Sequence, residues 1–206
     1  MENTHQLLSD EQIWQSFLGG NHQSYSFLYD KYFNLLYDFG RRLHPDKEKV
    51  KDCIQDVFVK LWNNRQHLSD VASVKSYLFT ALRNNLINSL SSAYARHIVN
   101  QDHSDEPVFF LDYSPEEQAI NKEMDVESML QLFAGLNELT PRQKECIYLR
   151  YYAGLEFEEI AGMMNITRKA SYKLLARALE LLKLYMQKTY SLLLFLFFGI
   201  SFFKSE

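Results

Sequence analysis

Apolar positions recur along this chain at the three- and four-residue spacing of helices, and the breaks between them are few. Ile13, Phe17 and Leu18 mark a short amphipathic helix, stopped at Gly19-Gly20. The next stripe is Tyr25, Leu28, Tyr29, Tyr32, Phe33, Leu36, Tyr37 and Leu43, so aromatic that a core is its simplest use. Pro45-Asp46 restarts the chain into Val50 to Trp62, where Ile54, Val57, Phe58, Leu61 and Trp62 form the apolar face. Asp52, Gln55, Asp56 and Lys60 fall mostly opposite, facing either solvent or a partner helix. Ser73 to Arg96 is a further helix, apolar at Val74, Tyr77, Leu78, Ala81, Leu82, Leu86 and Ile87. Its polar positions Arg83, Asn84, Asn85 and Asn88 lower helix propensity. Such groups can either face water or hydrogen-bond an unstacked base, with Tyr77 and Phe79 available for stacking.

From His97 to Pro115 the periodicity dissolves into an acidic stretch, longer than connections inside a compact domain usually are. Pro115-Glu116-Glu117 opens another helix through Ile120, Met124, Met129, Leu130 and Leu132. Thr140-Pro141 opens the next, because Thr caps free N–H groups and Pro suits the first helical position. That helix breaks near Ala153-Gly154, and a short one follows from Phe157 to Met164, with Ile160, Ala161 and Met164 on one face. Asn165-Ile166-Thr167 reads as a tight turn in which Ile166 drops into the core and Thr167 caps a last helix from Arg168. The last helix carries Arg168, Lys169, Lys173 and Arg177 beside Leu174, Leu175, Ala178 and Leu182. Two helices joined by so short a turn form a helix-turn-helix. Its second helix would present N-terminal side chains to base edges and its cations to phosphates.

Few glycines and prolines in 206 residues favour an all-α chain, long enough for one or two domains. The formal net charge of −4 argues against nucleic acid only on average. Residues 1–100 carry +1, residues 101–140 carry −9 and residues 141–206 carry +4. The acid is concentrated between two lobes, and residues 168–188 hold six cations against Glu180 alone. Cys53 and Cys146 sit singly inside apolar helical patterns, which suits buried thiols and gives neither a disulfide framework nor a zinc site. The polar N-terminus does not read as a signal peptide. No phosphate-cradling glycine loop, metal-spaced cluster or nucleophile elbow occurs, so neither an enzyme, a cofactor nor a small-molecule substrate is expected.

Four stretches in order carry a family resemblance: FLYDKYFNLLYDFGRRL, DCIQDVFVKLW, VKSYLFTALRNNLINSL and LTPRQKECIYLRYYAGLEFEEIAGMMNITRKASYKLLARA. Together they resemble an extracytoplasmic-function (ECF) sigma factor, a small two-domain member of the sigma-70 family. The resemblance implies an all-α fold of two helical domains joined by an acidic linker. The C-terminal domain would be a helix-turn-helix, winged-helix-like and of the sigma region 4 type. It implies domains at 10–96, 97–115 (linker) and 116–188, followed by an apolar tail at 189–206. It also implies binding to core RNA polymerase through Asp52, Gln55 and Asp56, and reading of the melted minus-ten strand by Arg83 and Asn84, beside the stacking candidate Tyr77. Duplex contacts would come from Arg168, Lys169, Ser171, Tyr172, Lys173 and Arg177. The linker would thread polymerase channels that normally hold nucleic acid. An anti-sigma factor is the expected regulatory partner, and the bacterial cytoplasm the expected location, with membrane association through that partner. Asn88, Ser91, Ser92, Ser171, Tyr172 and Leu174 depart from residues frequent in the family.

Tyr190 to Phe203, YSLLLFLFFGISFF, stands outside this scheme. In helix its length is roughly 21 Å at about 1.5 Å per residue, short of a hydrocarbon core of ~30 Å. Packing on the C-terminal lobe, lying in a membrane interface and cover by a partner remain open for it. The competing readings of the whole chain are a free-standing dimeric operator-binding protein and a membrane-surface helical protein.

Overall fold

A computed structural model of the chain describes residues 8–95, 108–111 and 126–186. The expected helix start at Pro115 and the apolar tail lie outside these residues. The chain divides between Phe109 and Phe110 into two compact units, inside the stretch expected to be the linker.

Helices of the N-terminal unit begin where a side chain can satisfy their free N–H groups. Ser9 and Gln12 form a capping box for α1, Asp10–Leu18. Gly20, at φ 89°, turns the chain in a conformation that costs Gly least. Asn21 Oδ1 accepts from the Gln23 and Ser24 N–H groups to open α2, His22–Leu43. Asp46 does the same from Glu48 and Lys49 for α3, Lys47–Asn64, which ends in a 3-10 turn, Arg65–His67. Ser73 accepts from Ser76 N–H in the first turn of α4, Val74–Ala95.

α2, α3 and α4 pack on one another. Their shared core is Leu28, Leu36, Phe39, Leu43, Val50, Ile54, Phe58, Leu61, Leu78, Leu82 and Leu86, all buried. Each such side chain contributes about 1.5–3 kcal/mol by leaving water. Ile13, Trp14 and Phe17 of α1 close one end, and Trp14 Nε1 donates to Ser69 O at 3.3 Å. Gly40 lies where the three helices approach: a Cβ there would meet Val50 Cγ1 at 2.6 Å, with Leu82 and Leu86 at 3.5 Å. Phe109 is buried in this unit too, its ring 6.0 Å from that of Phe39.

Two expectations for the N-terminal unit need correction. The aromatic stripe of α2 is only partly core: Tyr32 is buried, but Tyr25, Tyr29, Phe33 and Tyr37 are half-buried. They make a ladder along α2 in which Tyr25 and Tyr29 meet Phe58 edge-on. Phe79 is not available to stack on a base. It is fully buried, 5.1 Å from Phe39, because α4 is covered on several sides.

In the C-terminal unit, α5 (Val126–Glu138) packs against α8 (Arg168–Tyr185). A Cβ on Gly135 would stand 3.1 Å from side chains of Leu182 and Tyr185. Thr140 and Gln143 form a capping box around Pro141, opening α6 (Pro141–Ile147). The helix then widens into a π turn, Tyr148–Tyr152, before Gly154 reverses the chain at φ 65°. α7, Phe157–Met163, follows. Asn165 adopts φ 53°, a left-handed conformation that Asn tolerates better than most residues. Ile166, expected in the core, is only half-buried, whereas Met163 and Met164 just before it are buried. Thr167 caps α8 by accepting from Ala170 N–H at 3.2 Å.

Among the described residues no strand occurs, so no wing accompanies the helix-turn-helix there. No described helix is long and apolar enough to cross a membrane, and no described His, Cys, Asp and Glu cluster could hold a metal ion.

Gly40→Ala should lower the stability of the N-terminal unit by about 1–3 kcal/mol, because stiff Val50 leaves no room for a methyl group. Gly162→Ala should raise that of the C-terminal unit by up to ~1 kcal/mol, since nothing lies within 4 Å of the added Cβ. Urea unfolding of the two variants checks the opposite signs. Burial, and then the neighbouring Glu145 charge, push the Cys146 thiol up to about 12. Thiolate is the reactive form, so Cys146 should resist alkylation at pH 8 and react once urea opens the unit.

Candidate nucleic-acid and partner interfaces

α8 is sided by its contacts with α7. Ser171, Leu175, Ala178 and Leu182 are buried, while Arg168, Lys169, Lys173 and Arg177 are exposed. This places four cations where a duplex could meet them, as their sequence spacing predicts. Ser171 is the exception and a correction: it is fully buried, and its hydroxyl is shared between Phe157 O at 3.3 Å and Arg168 O at 2.7 Å. It joins α8 to α7 and cannot touch DNA in this fold.

Tyr172 is half-buried and stacks on Phe157, ring centroids 3.7 Å apart and 25° from parallel. Its hydroxyl accepts from Arg168 Nη2 at 3.3 Å. Arg168 also pairs through Nε with Glu158 at 3.1 Å, both side chains being exposed. Behind Phe157 lies the Arg150 guanidinium, 4.9 Å from the ring centroid. Arg150 donates to Leu155 O and pairs with Glu156, both at 3.0 Å. A continuous set of contacts thus supports the first turn of α8. Sequence reasoning missed Phe157 and Glu158 as its members, although a Glu-rich first turn facing a basic one hints at the pairing.

On α4, Asn84 is exposed and Arg83 half-buried. Their neighbour Asn85 turns inward, its Nδ2 donating to Cys53 O at 3.2 Å, which pins α4 to α3. Tyr77 is half-buried against Trp14, ring centroids 5.4 Å apart. One edge of its ring is therefore spent on packing, and burial raises its hydroxyl pKa.

On α3, Asp52, Gln55 and Asp56 are all exposed on successive turns of one face. Val59, not singled out from sequence, is 46% exposed on the same face. Its spacing of three from Asp56 could have revealed it.

The family model described as Sigma-70 region 2 matches residues 28–96, and that described as Sigma-70, region 4 matches residues 129–182. The chain belongs to the sigma-70 family. Every residue assigned a role from sequence falls within the two matched sigma-70 stretches. The ECF RNA polymerase sigma factor SigL of Mycobacterium tuberculosis is 27% identical over 163 residues, covering 78% of this chain and 88% of SigL. The ECF RNA polymerase sigma factor SigX of Bacillus subtilis is 23% identical over 168 residues, 80% of this chain and 84% of SigX. Among solved structures, CnrH in complex with the cytosolic domain of CnrY has a TM-score of 0.56 at 17% identity, over 86% of this chain and 97% of that one. The sigma factor RpoE in complex with the anti-sigma factor NepR, from Bartonella quintana, has a TM-score of 0.54 at 18% identity, over 81% and 98%. At these identities both structures speak for the fold.

Ser171→Ala should cost the C-terminal unit about 1 kcal/mol, the worth of one hydrogen bond, and alter duplex affinity less than loss of any one exposed cation of α8, because Tyr172, Leu175, Ala178 and Leu182 still hold the helix. Urea unfolding read beside a duplex-binding titration checks both halves.

Proposed function

We propose that this chain works as a sigma subunit by dividing three tasks among three helices. It binds core RNA polymerase and directs promoter-specific initiation, and its part is recognition without covalent catalysis. The observation that carries this division is the outward placement of opposite chemistries. Asp52, Gln55 and Asp56 are free on α3, whereas Arg168, Lys169, Lys173 and Arg177 are exposed on α8.

In this reading α3 docks on polymerase through its carboxylates and the Gln55 amide, with Val59 adding apolar contact among them. Charged groups of this kind set partner choice and encounter rate more than raw affinity. α8 lies in the major groove at the minus-thirty-five element, its cations on phosphates and Arg168 and Tyr172 nearest the bases. α4 takes the minus-ten element, where Asn84 meets a base that has left the stack. Extruding a base costs a few kcal/mol, which contacts in the pocket around Asn84, Arg83 and Tyr77 must offset. The acidic stretch between the units would occupy polymerase channels built for nucleic acid. An anti-sigma factor is the natural regulator and a route to membrane association, and the bacterial cytoplasm the natural site of action.

The direct test is whether the purified chain, added to core RNA polymerase, initiates transcription at specific DNA sites. Failure to bind core enzyme would overturn the assignment. Within it, Asn84→Ala should reduce open-complex formation, read by permanganate reactivity of the melted strand, without weakening binding to core enzyme. Asp56→Ala should do the reverse, weakening association about threefold, the scale of one exposed charge pair. Equal behaviour of the two variants in both assays would remove them from their assigned tasks.

A further inference from the structure

The cation nearest the start of α8 is not simply presented to solvent. Arg168 Nε pairs with Glu158 Oε2 at 3.1 Å, and Arg168 Nη2 donates to the Tyr172 hydroxyl at 3.3 Å. Tyr172 is held in turn by its 3.7 Å stack on Phe157, and Phe157 and Glu158 are consecutive in the first turn of α7. One short helix therefore supplies both the stack beneath Tyr172 and the carboxylate against Arg168. Lys169, Lys173 and Arg177 lie on the exposed side of α8, and no ion pair to a carboxylate is recorded for them among the described residues.

Glu158 has two physical effects at this place. It occupies Nε and leaves the guanidinium with one fully uncommitted amino group, so Arg168 is directed and not free to sweep across solvent. It also puts a negative charge beside the guanidinium. A phosphate approaching Arg168 must share it with that carboxylate or displace it, whereas a neutral base edge suffers no such repulsion. Sequence-independent affinity arises mainly from neutralised phosphates, so a carboxylate here taxes nonspecific binding more than base readout.

We propose that Glu158 is a specificity-determining residue of the duplex-reading helix, acting through Arg168 by withholding that side chain from phosphates. The proposal rests on the reading of α8 as the duplex-reading helix. Its target is chemical, the phosphate backbone of duplex DNA, and its effect is on the ratio of specific to nonspecific binding.

Two substitutions separate charge from position. Glu158→Gln removes the charge while keeping an oxygen that can accept from Arg168; Glu158→Ala removes both. Both side chains of the pair are exposed, so neither change threatens the fold. The protein is assembled with core RNA polymerase. Its affinity is measured for a duplex selected from a random pool by the wild-type holoenzyme, and for a scrambled duplex, over a series of salt concentrations. Glu158→Gln should bind the scrambled duplex roughly two- to fivefold tighter, the scale of one exposed ion pair. The selected-to-scrambled ratio should fall correspondingly. The slope of log affinity against log salt on scrambled DNA should steepen by about one, for one added phosphate contact. In an Arg168→Ala background these changes should vanish.

An unchanged ratio in Glu158→Gln would overturn the proposal. So would loss of selected-duplex affinity in Glu158→Ala with no gain on the scrambled duplex in either variant, which would leave Glu158 only its part in directing Arg168. If Arg168→Ala by itself left both duplexes bound as tightly as wild type, the failure would lie with the reading of α8.

Discussion

The exposed cationic surface of α8 depends on how that helix is locked against α7. The Ser171 hydroxyl on the Phe157 carbonyl and the Tyr172 ring on the Phe157 ring fix both the rotation of α8 and its height. Buried Leu175, Ala178 and Leu182 continue that lock along one side. A helix turns about 100° per residue, so slipping α8 by one position would send cations toward α7 and buried leucine toward water. Leaving a charge buried without a partner costs several kcal/mol, so one rotation prevails. The exposure of Lys169, Lys173 and Arg177 is a consequence of what Ser171 and its heptad-spaced neighbours must bury.

The N-terminal unit applies the same logic to a different surface. Asn84 and Asn85 are adjacent on α4, yet Asn85 is spent on the Cys53 carbonyl and Asn84 is left exposed. The inward amide pins α4 to α3 and so fixes where the outward one points. On α3 the buried run of Val50, Cys53, Ile54, Val57, Phe58 and Leu61 leaves Asp52, Gln55, Asp56 and Val59 outside. Both surfaces are thus carried on rigid helices, which hold side chains more closely than loops do. Close passage of the helices at Gly40 is what permits this packing.

Much of this was legible in the sequence because it is local. Thr140-Pro141, Asn165 and Thr167 act within a few residues of themselves, and the structure uses Thr140 and Thr167 as caps. What sequence could not give was anything decided by a neighbour distant in the chain. Ser171 and Tyr172 are adjacent and polar, and only the position of Phe157 makes one a buried tie and the other a half-exposed platform. Phe79 and Tyr77 read alike on α4, but Phe39 covers the first and leaves the second to Trp14. The π turn at Tyr148–Tyr152 left no sign in the apolar spacing, although it places Arg150 behind Phe157.

A chain with net charge −4 that carries an exposed cationic helix meets a conflict between affinity and selectivity. Phosphate contacts hold any duplex equally, so more cations would bring more binding and less discrimination. In the proposed arrangement affinity need not come from α8 alone. Two modest readers, one for duplex and one for melted strand, are held on a single larger partner, and each raises the effective concentration of the other at its site. Selectivity can then be kept high in each reader by limiting its phosphate contacts. The acid in residues 101–140 fits the same division, since it adds negative charge between the readers while leaving α8 free to carry the positive. On that proposal discrimination resides in the locked first turn of α8 and in the outward amide of α4, and the binding energy in their joint attachment.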